Sequence, residues 1–90
     1  MKIYIVERNN PKTWEEPEVY LDGKRAIEDI KKEYTTQMKE LGISQKEADE
    51  GFGNYGCDWM IDEENYCGDC QISEDWGSDR WQWRITEHLI

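Results

Sequence analysis

The sequence predicts an α+β domain: a small antiparallel sheet of about four strands, in ββα-ββ order, with one long amphipathic helix packed on one face. Three observations predict it. Residues 2–8 alternate in a β-branched run, residues 27–41 carry an apolar stripe at helical spacing, and residues 80–87 alternate again with two tryptophans on one side. Ninety residues make one domain, 1–90, and a modest one. A chain of this size buries only about 60–65% of the surface its unfolded form exposes. Five Trp, five Tyr and one Phe offset this, because a single buried ring removes roughly 150–250 Å² from water.

The first strand places Ile3, Ile5 and Glu7 on one side and Tyr4, Val6 and Arg8 on the other. Apolar residues on both sides are expected where a strand is covered on both faces near its start. Residues 9–17 read as a loop, holding both prolines of the chain, Pro11 and Pro17. Glu18-Val19-Tyr20-Leu21 follows as a short strand, expected to form a hairpin with the first. Asp22 is the expected N-cap of the helix. Ile27, Ile30, Tyr34, Met38 and Leu41 then fall at spacings of three, four, four and three, one stripe along about five turns. Gly42 supplies a left-handed cap. Ser44-Gln45-Lys46-Glu47 has the pattern of a capping box, opening a short second helix to Glu50.

Gly51-Phe52-Gly53-Asn54-Tyr55-Gly56 reads as a glycine-rich loop. Cys57-Asp58-Trp59-Met60-Ile61 fits a strand or a helical turn, and periodicity does not separate them. Asp62-Glu63-Glu64-Asn65 is a surface turn, Cys70–Glu74 a short strand, and Asp75–Asp79 a further turn. In the last strand Trp81, Trp83 and Ile85 share one side and are expected to cover the helix stripe.

Charge is the most informative feature for function. The net charge is −10, yet residues 1–46 balance nine basic against nine acidic side chains. Residues 47–79 hold eleven acids and no Lys or Arg: Glu47, Asp49, Glu50, Asp58, Asp62, Glu63, Glu64, Asp69, Glu74, Asp75 and Asp79. Such a field repels phosphate, because nucleic-acid binding depends on Lys and Arg displacing counterions. Direct nucleic-acid binding is therefore not expected, and an anionic membrane surface is disfavoured in the same way. Attraction runs toward basic proteins or cations. No stretch reaches the roughly 20 apolar residues of a membrane span, nor does Ile3-Tyr4-Ile5-Val6 make a signal-peptide core. A cytoplasmic setting is the expectation, and three cysteines, an odd number, suit a reducing compartment.

The chain holds few groups for conventional catalysis, and a non-enzymatic role is expected. Cys67-Gly68-Asp69-Cys70 is a C-x-x-C unit; with Cys57 and His88 it offers three thiolates and an imidazole for a tetrahedral zinc ion. The ten-residue step from Cys57 to Cys67 is not a usual partner spacing, and buried cysteines also serve simply as small apolar residues. A zinc-stabilised structural or interaction domain is thus the alternative. A nucleophilic pairing of His88 with a cysteine has no spacing in its favour. Calcium-loop and phosphate-loop patterns are missing from the sequence.

The acidic stretch is interleaved with rings: Phe52, Tyr55, Trp59, Tyr66 and Trp76. It suits a plain solvated face with rings turned inward. It also suits a partner-binding surface that imitates the charge of a nucleic acid, with Asp58, Trp59, Asp62, Glu63, Glu64, Asp69, Glu74, Asp75, Trp76 and Asp79 meeting an Arg/Lys-lined groove. In size and charge the chain is similar to phage-encoded inhibitors of host defence, including anti-CRISPR and anti-restriction proteins that act as DNA mimics. Those proteins share no sequence motif, so the resemblance assigns no residue a role. It implies a basic partner, a nuclease or other nucleic-acid-binding effector.

Overall fold

Residues that alternate along the chain pair into one antiparallel sheet, and the one long apolar stripe lies across it. The computed structural model describes residues 1–50, 55–74 and 77–90. In chain order the elements are β1 (Lys2–Asn9), β2 (Glu18–Tyr20), α1 (Gly23–Glu40), α2 (Gln45–Glu50), β3 (Tyr55–Asp62), β4 (Cys67–Glu74) and β5 (Arg80–Leu89). The strands form a five-stranded sheet in the order β2-β1-β5-β4-β3, antiparallel throughout.

The α+β class and the helix over one face match the sequence reading, whereas strand number and order do not. The undecided segment 57–61 is strand: Cys57, Trp59 and Ile61 alternate toward the helix while Asp58 and Met60 are exposed. The expected β1–β2 hairpin forms and β4 pairs with β5, but the two pairs are joined edge to edge through β1 and β5, and β3 adds a fifth strand. β1 pairs with β5 along its whole length, from Lys2 against Leu89 to Asn9 against Gln82. This brings the first and last strands to the middle, where their aliphatic and tryptophan side chains find the most cover. β2 pairs with β1 over only three residues, as a short edge following Pro17. Of the glycine-rich loop expected over 51–56, Tyr55 and Gly56 are instead the start of β3, paired with Glu74 and Ser73; residues 51–54 lie outside the described residues, as do Asp75 and Trp76.

Local chemistry places α1. The Asp22 carboxylate accepts from the Lys24 backbone N–H at 3.0 Å, filling one of the unpaired donors of the first turn. Gly42 (φ 72) ends the helix in the left-handed conformation. The Ser44 hydroxyl accepts from the Glu47 N–H at 3.1 Å and starts α2. Ile27, Ile30 and Met38 are buried, as the stripe predicts, and Gly23 and Ala26 extend it. They meet Tyr4, Val6, Ile61, Cys70, Ile72, Trp81, Trp83 and Ile85 from the sheet. Tyr34 sets its ring edge-on to Trp59 and Trp83, at centroid distances of 5.4 and 5.7 Å.

Two polar features lock the layers. The Arg8 guanidinium donates to both Glu33 carboxylate oxygens (2.7 and 3.0 Å) and to Glu18 (2.9 Å), tying β1 to α1 and β2. Trp83 Nε1 donates to Glu33 as well (3.3 Å), and the Tyr20 hydroxyl donates to Asp29 (2.8 Å). At the opposite end, Tyr66 (φ 55) turns its ring onto the start of α1 and edge-on to Tyr4 at 5.5 Å. A Cβ on Gly23 would lie 2.5 Å from Tyr66 Cγ, so the helix approaches this ring only because Gly23 has no side chain.

Gly23→Ala is therefore expected to destabilise the fold by about 1–3 kcal/mol through overpacking, although alanine is the better helix former. Chemical denaturation of the two proteins measures it; unchanged or raised stability would contradict the Tyr66 packing.

The core also fixes an alkaline limit. Burial pushes the Cys70 thiol from 9.0 up to about 12. Burial, then the hydrogen bond to Asp29, moves the Tyr20 hydroxyl from 10.0 to about 12. Tyr34 is raised in the same direction, first by burial and then by the neighbouring Cys57 and Cys70 thiols. The folded state favours the neutral form of each group, and the unfolded chain ionises first. Stability is fully present below about pH 9 and is expected to be lost progressively toward pH 12. Denaturant unfolding at a series of alkaline pH values checks the direction.

Candidate protein-binding face

Because α1 covers one side of the sheet, strand alternation leaves the other side open. The register sets its rows. Asn9, Gln82, Gln71 and Asp58 lie in one row across four strands, and Glu7, Arg84, Asp69 and Met60 form the next. Val19, Ile5 and Thr86 make a third row, and Ile3 sits opposite His88. Side-chain amides knit the rows together. Asn9 Nδ2 donates to Gln82 at 3.4 Å, and Gln82 Nε2 donates to Asp69 at 3.4 Å. Arg80 Nε donates to Gln71 at 2.9 Å, and Gln71 Nε2 donates to Asp58 at 3.3 Å.

The face is divided in character. Its β3–β4 half presents Asp58, Asp62 and Asp69 around the exposed Met60 side chain, and the turn at 63–66 adds Glu64 at the rim. Its β1–β2 half presents Ile3, Ile5 and Val19. Arg84 stands between Glu7 and Asp69 in its row, where each carboxylate is a cross-strand neighbour.

Asp62 has a structural task as well. Its carboxylate accepts from the Glu64 and Asn65 backbone N–H groups (3.0 and 3.1 Å) and from Asn65 Nδ2 (2.7 Å), closing the β3–β4 turn. These three donors, the Asn65 side chain foremost, lower its pKa below the usual carboxylate value.

The sequence-predicted partner residues are not gathered onto one surface. Asp58, Asp62, Asp69 and Glu64 share the open face and its rim. Glu63 turns to α1 and ion-pairs with Lys31. Trp59, expected as an exposed anchor, lies on the helix side, half-buried against Tyr34 with the Lys31 ammonium 5.9 Å from its ring centroid. Strand alternation is the reason: Trp59 lies between two outward residues. Glu74 and Asp79 are half-buried at the far end of β4, where the Glu74 N–H donates to the Asp79 carbonyl at 3.0 Å. Glu47 and Asp49 ride on α2. Asp75 and Trp76 lie outside the described residues.

The suggested zinc ligands are separated as well. Cys57 and Cys70 face the helix, while Cys67 and His88 alternate to the open face. An ion touching all four would have to reach through the sheet. Among the described residues no group of three or more His, Cys, Asp or Glu side chains is placed to hold a metal ion. His88 instead shares a 3.0 Å hydrogen bond with Thr86 Oγ1. A cleft of about 330 Å³ opens beside Arg8, Glu33, Trp81 and Trp83, but the internal network already satisfies these polar groups. No buried side-chain nitrogen or oxygen among the described residues lacks a partner.

Sequence reasoning missed the apolar half of this face. Its signal was present in the alternation of Ile3 and Ile5 opposite Tyr4 and Val6. Comparison of the chain with protein-family models, curated proteins and solved structures returns no match. No helix among the described residues is long and apolar enough to cross a membrane.

The turn geometry yields a prediction. In an NMR titration of side-chain carboxyls, Asp62 is expected to titrate below its own value in an Asn65→Ala variant. The depressed pKa means that its contribution to stability is present at neutral pH and is lost as pH falls through the folded value. Superimposable titrations of Asp62 in the two proteins would remove the turn from this account.

Proposed function

We propose that this chain is a non-enzymatic binding protein that engages a basic protein surface through the acidic half of its open sheet face. One observation carries the reading. Asp58, Asp62 and Asp69 project from two adjacent strands that contain no Lys or Arg, and the cations on this face, Arg80 and Arg84, come from the neighbouring β5; three others are engaged elsewhere. Arg8 serves Glu33 and Glu18, Lys31 serves Glu63, and Lys2 serves Glu87. The rigid sheet holds the open carboxylates at fixed separations, about 5 Å between strands and 7 Å between alternate residues of a strand. Electrostatic complementarity of this kind steers encounter and fixes orientation.

Within this reading, the groove of a nuclease or another nucleic-acid-binding effector is the partner we propose. The function is then that of an inhibitor imitating DNA, of the kind phages direct at CRISPR or restriction systems. The surface available for it is smaller than the acidic stretch suggests, because Glu63 is countered by Lys31 and Glu74 and Asp79 are half-buried. It would cover a few phosphate positions, so affinity must come from further contacts.

A short arginine/lysine peptide is a suitable probe. Binding followed by NMR is expected to shift the amides of Asp58, Asp62 and Asp69 before those of Glu47 or Asp49. It should weaken about tenfold or more between roughly 0.05 and 0.5 M salt. The Asp58→Lys, Asp69→Lys double variant should lose the interaction while keeping its circular dichroism spectrum. Retained binding by that variant, or salt-independent affinity, would overturn the proposal.

A further inference from the structure

The open face raises a second question, because acids make up only half of it. β1 carries aliphatic residues on both sides, the composition of a strand covered above and below. Yet α1 covers only the Tyr4 and Val6 side. On the other side Val19 is 58% exposed beside the half-buried Ile5, and Ile3, also half-buried, follows one row further on. At the same corner Met1 and Ile90 are bound to each other through their backbones and expose 74% and 71% of their surface. Scattered apolar residues on a surface need no explanation, but a contiguous patch on a flat sheet does.

Charge decides what covers it. The patch grades along the sheet into Glu7, Asp69, Asp58 and Asp62; of the two arginines on this face, Arg84 is flanked by Glu7 and Asp69 and Arg80 donates to Gln71 at the far end. A second copy of the chain would meet this face with a net charge of −10 of its own and with the same carboxylates, Asp58, Asp62 and Asp69. A partner with apolar side chains on one side and Lys or Arg beside them matches both halves at once.

We infer that the open sheet face is a composite docking site for an amphipathic basic segment of a protein. Its apolar side chains seat on Ile3, Ile5 and Val19, and its cations reach Asp69 and Asp58. This rests on the proposed function and adds the apolar half to it. The apolar seat supplies desolvated contact area, and the carboxylates form the charged rim and set orientation. The amide ladder of Asn9, Gln82 and Gln71 keeps the carboxylates in place between the two.

Two synthetic peptides of equal charge test this, one alternating Lys with Ile and the other Lys with Ser. The whole chain, labelled for NMR at backbone amides and Ile and Val methyls, is titrated with each. The Lys/Ile peptide is expected to bind about tenfold or more tighter than the Lys/Ser peptide and to shift the Ile3, Ile5 and Val19 methyl signals. Val19→Ser, a change at an exposed edge position, should remove most of that difference without altering the fold; Ile5→Ser should remove the rest. If both peptides bind alike at Asp58 and Asp69, the composite site is wrong and the acidic-face proposal stands. If neither binds, both are wrong. If sedimentation instead finds a dimer that Val19→Ser abolishes, the occupant is a second copy and the inference is overturned.

Discussion

Everything in this fold depends on one long helix covering one face of the sheet. Ile27, Ile30 and Tyr34 must meet Trp81, Trp83 and Ile85, because few other apolar residues are available to a chain of mean hydropathy −1.03. A domain of this size has a net stability of about 5–15 kcal/mol, and losing one of these tryptophans would remove about 3–5 kcal/mol of it. The same seam decides which face of the sheet stays accessible, since α1 covers the Tyr4, Val6 and Trp83 side and leaves the other open.

The charged residues divide along this seam. Arg8, at 10% side-chain exposure, bridges strand and helix through Glu33; desolvation of the guanidinium offsets part of the attraction, and removal of Glu33 would leave that charge buried without its main partner. Lys2–Glu87 and Lys31–Glu63 are surface pairs, each contributing about 0–1 kcal/mol. Their larger effect is on the field. Lys31 offsets the Glu63 carboxylate on the helix side of the β3–β4 turn, while Asp58, Asp62 and Asp69 stay on the open side of β3 and β4. A net charge of −10 describes the molecule poorly; the placement of individual carboxylates relative to the cations describes it better.

Legibility in the sequence follows the length scale of each signal. Caps and stripes are local and could be read: Asp22, Gly42 and Ser44 all act at the helix ends where their chemistry predicts. The alternation of β5 likewise identified Trp81 and Trp83 as core. Strand order could not be read, because pairing β1 with β5 is a contact across almost the whole chain. The β3 segment was ambiguous because glycine-rich residues precede it and its alternation is short. The candidate site was legible in charge but not in direction. Asp58 and Trp59 are neighbours in sequence, yet a strand sends them to opposite faces. The same parity separates Cys67 from Cys70 and disperses the four suggested zinc ligands.

Period two also explains why the open face is a surface of two characters and not one. Each strand contributes every second residue, so the face samples the chain at Ile3-Ile5-Glu7-Asn9, at Gln82-Arg84-Thr86-His88, and at Asp58-Met60-Asp62. The apolar end is inherited from β1, whose inner side had to be apolar for the core and whose outer side did not. Nothing in the packing under α1 requires Ile3, Ile5 or Val19 to be aliphatic. Threonine at these positions would keep the strand propensity and spare the exposed apolar surface. Retaining isoleucine and valine beside an acidic field makes physical sense where a second layer, supplied from outside the chain, completes what the helix completes on the other side.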